Sequence, residues 1–360
     1  MLKLSLIPLL VLLLSSCAST QKVADDNTVK QRYWPDLPEV PRYEYVMSIY
    51  STLDFVKKSD EQKLKEFLTG VAKPDYVVTR PLDMVATKGM LYLVDSDNPV
   101  VHVFDLVRRS YFKFGYRYEG KLVNPVAITA DQNGNIYVAD RGRNSIIVFD
   151  EIGLFKSAFQ LSGITTQLAG LAVDQGAEFI YAVDRGGIDS DVHQVVKLNN
   201  KGELVKRIGK RGDQPGEFNL PTDIAIDPND NLYVLDTGNF RVQILDQQGV
   251  VLKTWGQAGN ALGQFGLPRS ITLDDENNVY VSDAQFGNIQ VFNSQGELLL
   301  PIGRLGQLDL PGQYSLITGI TFDNRGNLYV LDQFLKKMEI FRKLSALQQQ
   351  LIMSRQSEPK

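Results

Sequence analysis

The sequence predicts an all-β chain of six repeated sheets, and three observations lead to this prediction. First, residues 135–150 (NIYVADRGRNSIIVFD) and 231–246 (NLYVLDTGNFRVQILD) share one pattern although they lie almost a hundred positions apart. Second, the pattern occurs six times, and its aspartates recur at a spacing typical of propeller blades. Third, each copy is long enough for four short strands. The six core aspartates are Asp95, Asp140, Asp184, Asp236, Asp283 and Asp332.

Each copy divides into four strands with turns between them. A first strand such as residues 223–227 (DIAID) precedes the core, and the core itself supplies two strands with apolar residues in alternation or in short runs. A fourth strand, such as residues 251–256 (VLKTWG), follows the core. Glycine and asparagine fill the turns, where hairpins need a positive φ. The copies therefore predict four-stranded antiparallel blades, and the copy at 179–199 carries an insertion in its middle.

The sixth copy lacks its fourth strand, since the chain after Phe341 changes to a helical and polar pattern. Residues 43–50 (YEYVMSIY) carry apolar residues at every second position, and we expect them to pair with the last blade. An open arc would leave two sheet faces in water, whereas burial stabilises each large apolar side chain by about 1.5–3 kcal/mol. The sequence therefore predicts a six-bladed β-propeller over residues 41–344, closed by this amino-terminal strand.

Two segments outside the repeats have helical patterns. Residues 59–70 (SDEQKLKEFLTG) predict one short amphipathic helix with Leu64, Phe67, Leu68 and the following Val71 on one stripe, and we expect it to pack across a mouth or the rim of the ring. Residues 345–360 predict a polar carboxyl-terminal tail.

The amino terminus predicts export. Residues 1–16 contain one cation and an apolar run that is too short to span a bilayer, as in a signal peptide. The run ends at Cys17, the single cysteine, and this junction resembles the lipobox of bacterial lipoproteins. The resemblance implies a lipid anchor at Cys17, a tether over residues 17–40, and attachment to the cell envelope. Ala18 after the cysteine favours the outer membrane if the source is Gram-negative. The alternative is an ordinary signal peptide with an incidental cysteine.

The bulk composition excludes some classes of protein. The net charge is −4 at pH 7 and 22% of residues are charged, so neither disorder nor a nucleic-acid-binding surface is the default expectation. One cysteine cannot form an intrachain disulfide. We expect a monomeric propeller.

The repeated residues resemble a known family. A proline, an isoleucine and an aspartate are followed by Gly-Asn-hydrophobic-Tyr-Val-x-Asp and then by a run such as residues 239–243 (NFRVQ), as in the NHL repeat. The spacers at 209–221 (GKRGDQPGEFNLP) and 256–268 (GQAGNALGQFGLP) are also similar to that family. The resemblance covers roughly residues 80–342. It implies a six-bladed propeller similar to exported bacterial lipoproteins of this kind.

The core aspartates and the histidines are residue types that can bind metal ions, but their positions in the sequence favour structural roles. Each aspartate precedes a hairpin, where a carboxylate accepts backbone N–H bonds and holds the turn. Only His102 and His193 are present, too few for the zinc site that the resemblance would imply for NHL-type peptide-amidating lyases. His193 lies beside Asp189 and Asp191 in the insertion, which is either a cation-binding loop or a solvated acidic loop. We predict no metal, no cofactor and no catalytic residue.

The geometry of a four-stranded blade places two sets of loops on one face of the disc. These are the loops before the first strands and the loops between second and third strands. They collect arginine and aromatic residues, which dominate binding hot spots. The predicted binding face consists of Arg80, Asp83, Asn124, Arg141, Arg143, Arg185, Asp223, Phe240, Arg241, Arg269, Phe286 and Phe334.

Three functions fit these residues. The first is a cell-envelope lipoprotein whose propeller is a scaffold for a protein or peptide partner. The alternative is a metal-dependent lyase or hydrolase with a site in the channel lined by carboxylates such as Asp83 and Asp223. The third is a structural role, in which the ring mainly stabilises an assembly of the envelope.

Overall fold

The computed structural model describes residues 32–56, 60–70, 78–308 and 310–357. The predicted signal peptide (1–16) and Cys17 lie outside the described residues. The first elements are β1 (Tyr33–Trp34), β2 (Tyr43–Ile49), α1 (Thr52–Phe55) and α2 (Asp60–Thr69).

Five sheets follow, each built from four consecutive antiparallel strands. Blade 1 contains β3 (Pro81–Thr87), β4 (Met90–Asp95), β5 (Val100–Asp105) and β6 (Ser110–Phe114). Blade 2 contains β7 (Pro125–Ala130), β8 (Ile136–Asp140), β9 (Ser145–Phe149) and β10 (Phe155–Gln160), and blade 3 contains β11 (Leu168–Val173), β12 (Phe179–Asp184), β13 (Gln194–Asn199) and β14 (Leu204–Ile208). Blade 4 contains β15 (Asp223–Ile226), β16 (Leu232–Asp236), β17 (Arg241–Leu245) and β18 (Val251–Trp255), and blade 5 contains β19 (Pro268–Leu273), β20 (Val279–Asp283), β21 (Asn288–Phe292) and β22 (Leu298–Ile302).

The sixth sheet closes the ring. A short parallel pair, β23 (Arg304–Leu305) and β24 (Gln313–Tyr314), leads into β25 (Ile317–Phe322), β26 (Asn327–Asp332) and β27 (Lys337–Lys343), and the chain then forms α3 (Ala346–Ser357). Strand β2 pairs antiparallel with β27 and supplies the fourth strand of blade 6. The prediction of six four-stranded blades closed by the segment at 43–50 is confirmed.

Blade 6 also contains a fifth strand that the sequence did not predict. Strand β1 pairs with the outer edge of β2, and the ring of Trp34 packs edge-on against Phe341 with 5.0 Å between ring centroids. Residues 33 and 34, in the predicted tether of residues 17–40, therefore belong to the folded ring.

The blades are held together by apolar clusters between neighbouring sheets, and the second and third strands are buried on both faces. Val94 and Val103 of blade 1 pack with Ile128 and Val138 of blade 2. Equivalent clusters lie between the other neighbours, including one that joins blade 6 to blade 1. Each sheet thus buries both faces, which a closed ring of blades requires.

The helices differ from prediction in their packing. Helix α2 confirms the predicted helix at 59–70, with residue 59 outside the described part, but Leu64, Phe67 and Leu68 are exposed. The expectation that this stripe packs on the ring is therefore wrong. The adjacent α1, which the sequence analysis missed, buries Phe55 against Phe104.

The predicted polar tail at 345–360 contains α3. The side chains and backbone amides of Ser345 and Gln348 are reciprocally hydrogen-bonded at its start, as in a capping box. Among the described residues, no helix combines the length and the apolar character needed to cross a bilayer.

The closing strand offers a direct test of ring closure. Tyr43 is 2% exposed and its hydroxyl is hydrogen-bonded to that of Tyr280 in blade 5, whereas Val46 of the same strand is 44% exposed at a bulge. Loss of a buried aromatic side chain costs about 3–5 kcal/mol. We therefore expect Tyr43→Ala to lower the free energy of unfolding by roughly that amount in urea titrations. The matched control Val46→Ala should change it little, and equal losses would show that the strand does not close the ring.

Candidate functional site

The six core aspartates tie the loops of one face together, as predicted. All six side chains are fully buried. In blade 2, Asp140 accepts hydrogen bonds from the backbone amides of Val123 (2.6 Å) and Asn124 (2.9 Å), which precede the first strand, and from that of Arg143 (3.2 Å) in its own hairpin. The corresponding amides that precede the first strand are Thr79 and Arg80 for Asp95, Thr166 and Gln167 for Asp184, Asn219 for Asp236, Gly266 and Leu267 for Asp283, and Ser315 and Leu316 for Asp332.

Backbone bonds confirm that the two sets of loops share a face. The residue after each of five core aspartates donates its amide to a carbonyl in the loop before the first strand of its blade, as Arg141 does to Asn124 at 2.9 Å. The same bond joins Ser96 to Arg80, Arg185 to Gln167, Ala284 to Leu267 and Gln333 to Leu316. The predicted binding residues therefore begin from a common face.

Four of the predicted arginines converge on the opening of the channel. Arg80, Arg141, Arg185 and Arg269 line one cavity of about 260 Å³, and we call this group the arginine mouth. Arg141 and Arg185 each follow a core aspartate, Arg80 precedes the first strand of blade 1, and Arg269 lies in the first strand of blade 5. The blades thus bring together four cations that are up to 189 positions apart in sequence.

The guanidiniums of the arginine mouth form few ion pairs with the described residues. Arg141 donates to the carbonyl of Leu168 at 2.9 and 2.7 Å, and Arg80 makes one exposed ion pair with Asp97 at 3.6 Å. The Nε atoms of Arg185 and Arg269 are buried and have no hydrogen-bond partner among the described residues. Burial lowers the pKa of Arg141 and of Arg269, and repulsion from neighbouring arginines lowers both further. The site therefore favours an anion.

Two carboxylates lie at the floor of the mouth. Asp83 and Asp223, here called the waist carboxylates, line both the mouth and a second cavity of about 210 Å³ further along the channel. Burial raises the pKa of Asp83 well above its usual range, and the charge of Asp223 raises it further. Burial likewise raises the pKa of Asp223 to about 6, against hydrogen bonds from Ile271, Ser270 and Ile224.

Other members of the predicted face do not line the mouth. Arg241 is bound to Asp236 at 2.8 Å and to the carbonyls of three spacer residues, and Arg143 is bound to the carbonyls of Glu119 and Lys121. These guanidiniums hold loops in place. The remaining four residues are Asn124, whose backbone bonds hold its loop, Phe240, which packs on the apolar cluster between blades 4 and 5, half-buried Phe286, and Phe334, which is 68% exposed.

Sequence reasoning missed several neutral residues that complete the mouth. Gln333 follows its core aspartate as Arg141 and Arg185 follow theirs, so alignment of the repeats was a sufficient signal for it. Gln333 donates to the carbonyl of Pro81 at 3.1 Å and so links blade 6 to blade 1. The other neutral lining residues are Leu82, Val126, Ala169, Thr222, Leu316 and Thr318.

Both histidines have structural positions away from the mouth. His193 is fully buried, its Nδ1 accepts from the amide of Leu220 at 3.2 Å, and its Nε2 donates to the carbonyl of Gly187 at 3.0 Å. His193 therefore anchors the insertion, whose Asp189 and Asp191 are exposed. His102 lies in a third strand, 2.8 Å from the hydroxyl of Tyr111 and 3.5 Å from Asp95. The described part of the chain contains no group of three or more His, Cys, Asp or Glu that could hold a metal ion.

The waist carboxylates predict a pH effect on stability. Both carboxyls ionise near pH 4 in the unfolded chain, and Asp223 ionises only near pH 6 when folded. As the pH rises from 4 to 6, the carboxyl of Asp223 ionises in the unfolded chain before it ionises in the folded chain. Ionisation therefore stabilises the unfolded state first, and the free energy of unfolding falls over this range. In Asp223→Asn that fall is absent, and we expect the Tm of the variant relative to wild type to increase between pH 4 and 7. The exposed Asp189→Asn should show no such trend, and a flat Tm difference for Asp223→Asn would contradict the assignment.

Sequence comparisons match the NHL repeat to residues 122–149 and 218–245, in blades 2 and 4. NHL repeat-containing protein 3 of Mus musculus is 30% identical over 111 residues, which are 29% of this chain and 32% of that relative. The chain therefore matches about a third of the length of this curated relative.

Solved structures with the same fold include several enzymes. A streptogramin B lyase has a TM-score of 0.53 and 12% identity over 74% of this chain and 94% of its own. An inactive variant of virginiamycin B lyase from Staphylococcus aureus has a TM-score of 0.54 and 13% identity over 74% and 96%. A gluconolactonase from Xanthomonas campestris has a TM-score of 0.55 and 16% identity over 74% and 87%. Such identities show a shared fold alone. The chain is therefore a six-bladed β-propeller in which blades 2 and 4 match the NHL repeat.

Proposed function

We propose that the chain is an exported, lipid-anchored binding protein whose arginine mouth takes an acidic segment of a protein or peptide partner. The observation that carries this proposal is the pair of buried, unpartnered Nε atoms of Arg185 and Arg269 within a group of four guanidiniums. A buried donor without a partner costs about 1–3 kcal/mol. An anionic ligand supplies the missing acceptors, and carboxylates match the planar fork of arginine in bidentate geometry.

The size of the mouth supports an extended partner. A cavity of about 260 Å³ is smaller than the usual range for whole small-molecule ligands, roughly 300–1,000 Å³. The mouth therefore suits one or two acidic side chains of a larger partner, with exposed Phe334 on the surrounding face. Since the ring is closed and no blade needs a partner sheet, the propeller acts as a monomer in this proposal.

The lipid anchor at Cys17 would hold the propeller at the cell envelope, at the outer membrane in a Gram-negative cell. The fifteen residues at 17–31 span at most roughly 50 Å when extended. This reach allows the mouth to meet partners in or near the membrane. The proposal involves no nucleic acid and no cofactor.

The alternative, a metal-dependent lyase or hydrolase, finds less support in the geometry. Asp83 and Asp223 do reach the channel, but a metal site needs further ligands, and the described residues bring no third His, Cys, Asp or Glu to this pair. The enzymatic activities named for proteins of the same fold belong to those proteins. The geometry therefore favours binding over catalysis.

The arginine mouth can be tested with a simple acidic probe. We expect the double variant Arg185→Gln/Arg269→Gln to bind a fluorescent acetyl-(Glu)4-amide peptide at least about tenfold more weakly, because each charge-assisted hydrogen bond is worth about 1.5–3 kcal/mol. Fluorescence anisotropy measures the affinity, and the Tm should not fall, since the Nε atoms of both side chains lack a hydrogen-bond partner among the described residues. The control Arg325→Gln changes an exposed arginine that does not line the mouth and should bind as wild type does. Equal affinities for the double variant and wild type would overturn the proposal.

The anchor has a separate test. Expressed with its own first 31 residues in a Gram-negative host, the wild-type chain should enter the detergent phase of Triton X-114, because an acylated cysteine adds about 0.8 kcal/mol of transfer energy for each buried CH₂. Cys17→Ser should remain in the aqueous phase. A variant that still partitions into detergent would exclude Cys17 as the anchor.

A further inference from the structure

In the first strand of each blade, one equivalent residue lies between a residue that lines the mouth and a residue that lines the second cavity. In five blades this residue pairs with the residue that precedes the core aspartate, as Asp83 pairs with Val94 and Asp223 with Leu235. In blade 3 the position lies at an irregularity in the pairing of the first two strands. In order around the ring, the six positions read Asp83, Ala127, Gly170, Asp223, Ser270 and Gly319. The pattern of carboxylate, small residue and glycine occurs twice, so the two carboxylates lie three blades apart, on opposite sides of the axis.

The surrounding blades hold each waist carboxylate in the same way. Asp83 accepts from the amide of Ile128 in the next blade at 2.9 Å, and Asp223 accepts from that of Ile271 at 2.9 Å. The preceding blade contributes a glycine at close range: a Cβ on Gly170 would lie 2.7 Å from the Cα of Asp223. Likewise, a Cβ on Gly319 would lie 3.2 Å from the Cα of Asp83. Both carboxylates are thus positioned from two sides.

Ring closure does not require these charges. Three of the six positions carry alanine or glycine, and Ser270 carries a hydroxyl. At four of the six junctions between blades, neighbouring first strands therefore pack together without a carboxylate that accepts a hydrogen bond from the next blade. Two buried acids that repel one another are an unfavourable way to join blades, so their presence on the channel needs another explanation.

The charges form two layers along the axis. Four guanidiniums surround the mouth, and the waist carboxylates lie at its floor, where both cavities meet. Each oxygen of Asp83 accepts one hydrogen bond, from Met84 and from Ile128, which leaves further acceptor capacity. A cation between the two carboxylates would relieve their repulsion in a site where water screens little.

From this layering we propose that the ligand of the arginine mouth is amphoteric: its acidic groups meet the arginines, and a cationic group at its tip, an ammonium, binds between Asp83 and Asp223. This inference rests on the proposed function and specifies its ligand further. The ammonium belongs either to the amino terminus of an acidic peptide or to a lysine side chain next to acidic residues.

Three fluorescent peptides separate these possibilities. Gly-(Glu)3 has a free amino terminus, acetyl-Lys-(Glu)3 has only a side-chain ammonium, and acetyl-Gly-(Glu)3 has no cation. We expect one of the two cationic peptides to bind wild type at least about tenfold more tightly than the neutral-tipped peptide, a difference of about 1.4 kcal/mol. In Asp83→Asn/Asp223→Asn this preference should vanish, while the neutral-tipped peptide should bind at least as tightly as it binds wild type, because two negative charges near its glutamates are removed. Asp189→Asn serves as the control.

The outcomes distinguish the two proposals. If all three peptides bind wild type equally, the waist inference is overturned and the arginine mouth stands; if none binds, the proposed function fails and this inference with it. Should the double variant not fold, the wild-type preference for the cationic tip must grow between pH 5 and 7, as the carboxyl of Asp223, with its pKa of about 6, ionises. A preference that is constant over this range would also overturn the inference.

Discussion

The carboxylate that ends each second strand is the constraint on which the candidate site depends. Its oxygens bind the amides that precede the first strand, and in most blades they also bind the hairpin that follows the second strand. A fully buried carboxylate is costly unless such bonds satisfy it. Because every blade meets this requirement at the same end, all loops of that end are held at one level, and the side chains they carry can surround the channel.

In the outer part of blades 4, 5 and 6, the same buried hydrogen bond from a spacer glycine is accepted by different side chains. In blades 4 and 5, Gln243 and Gln290 accept from the amides of Gly216 and Gly263 in the spacers. In blade 6 the equivalent Glu339 accepts from Gly312, and buried Lys337 pairs with it at 2.8 Å. The negative charge of Glu339 is thus matched by the positive charge of Lys337, as an ion pair out of water requires.

The arginine mouth and the waist carboxylates use the same frame for a different purpose. Structural arginines such as Arg241 satisfy their donors with carbonyls and a carboxylate of their own blade or spacer. Arg185 and Arg269 do not, and the waist carboxylates repel each other across the axis. Two of the buried donors that lack a partner among the described residues, the Nε atoms of Arg185 and Arg269, thus line the same channel as two buried carboxylates. A stable ring can carry such a cost because six apolar clusters join its neighbouring blades.

The sequence by itself determined the number of blades, their four strands, the closing role of residues 43–50, the structural role of the core aspartates and the common loop face. Each follows from a local pattern that repeats, so the copies confirm one another. The tertiary structure alone decided that Arg80, Arg141, Arg185 and Arg269 meet while Arg143 and Arg241 hold loops, and that the stripe of α2 is exposed. The direction of a long side chain depends on neighbours contributed by other blades, far away in sequence, and no pattern within a single repeat contains that information.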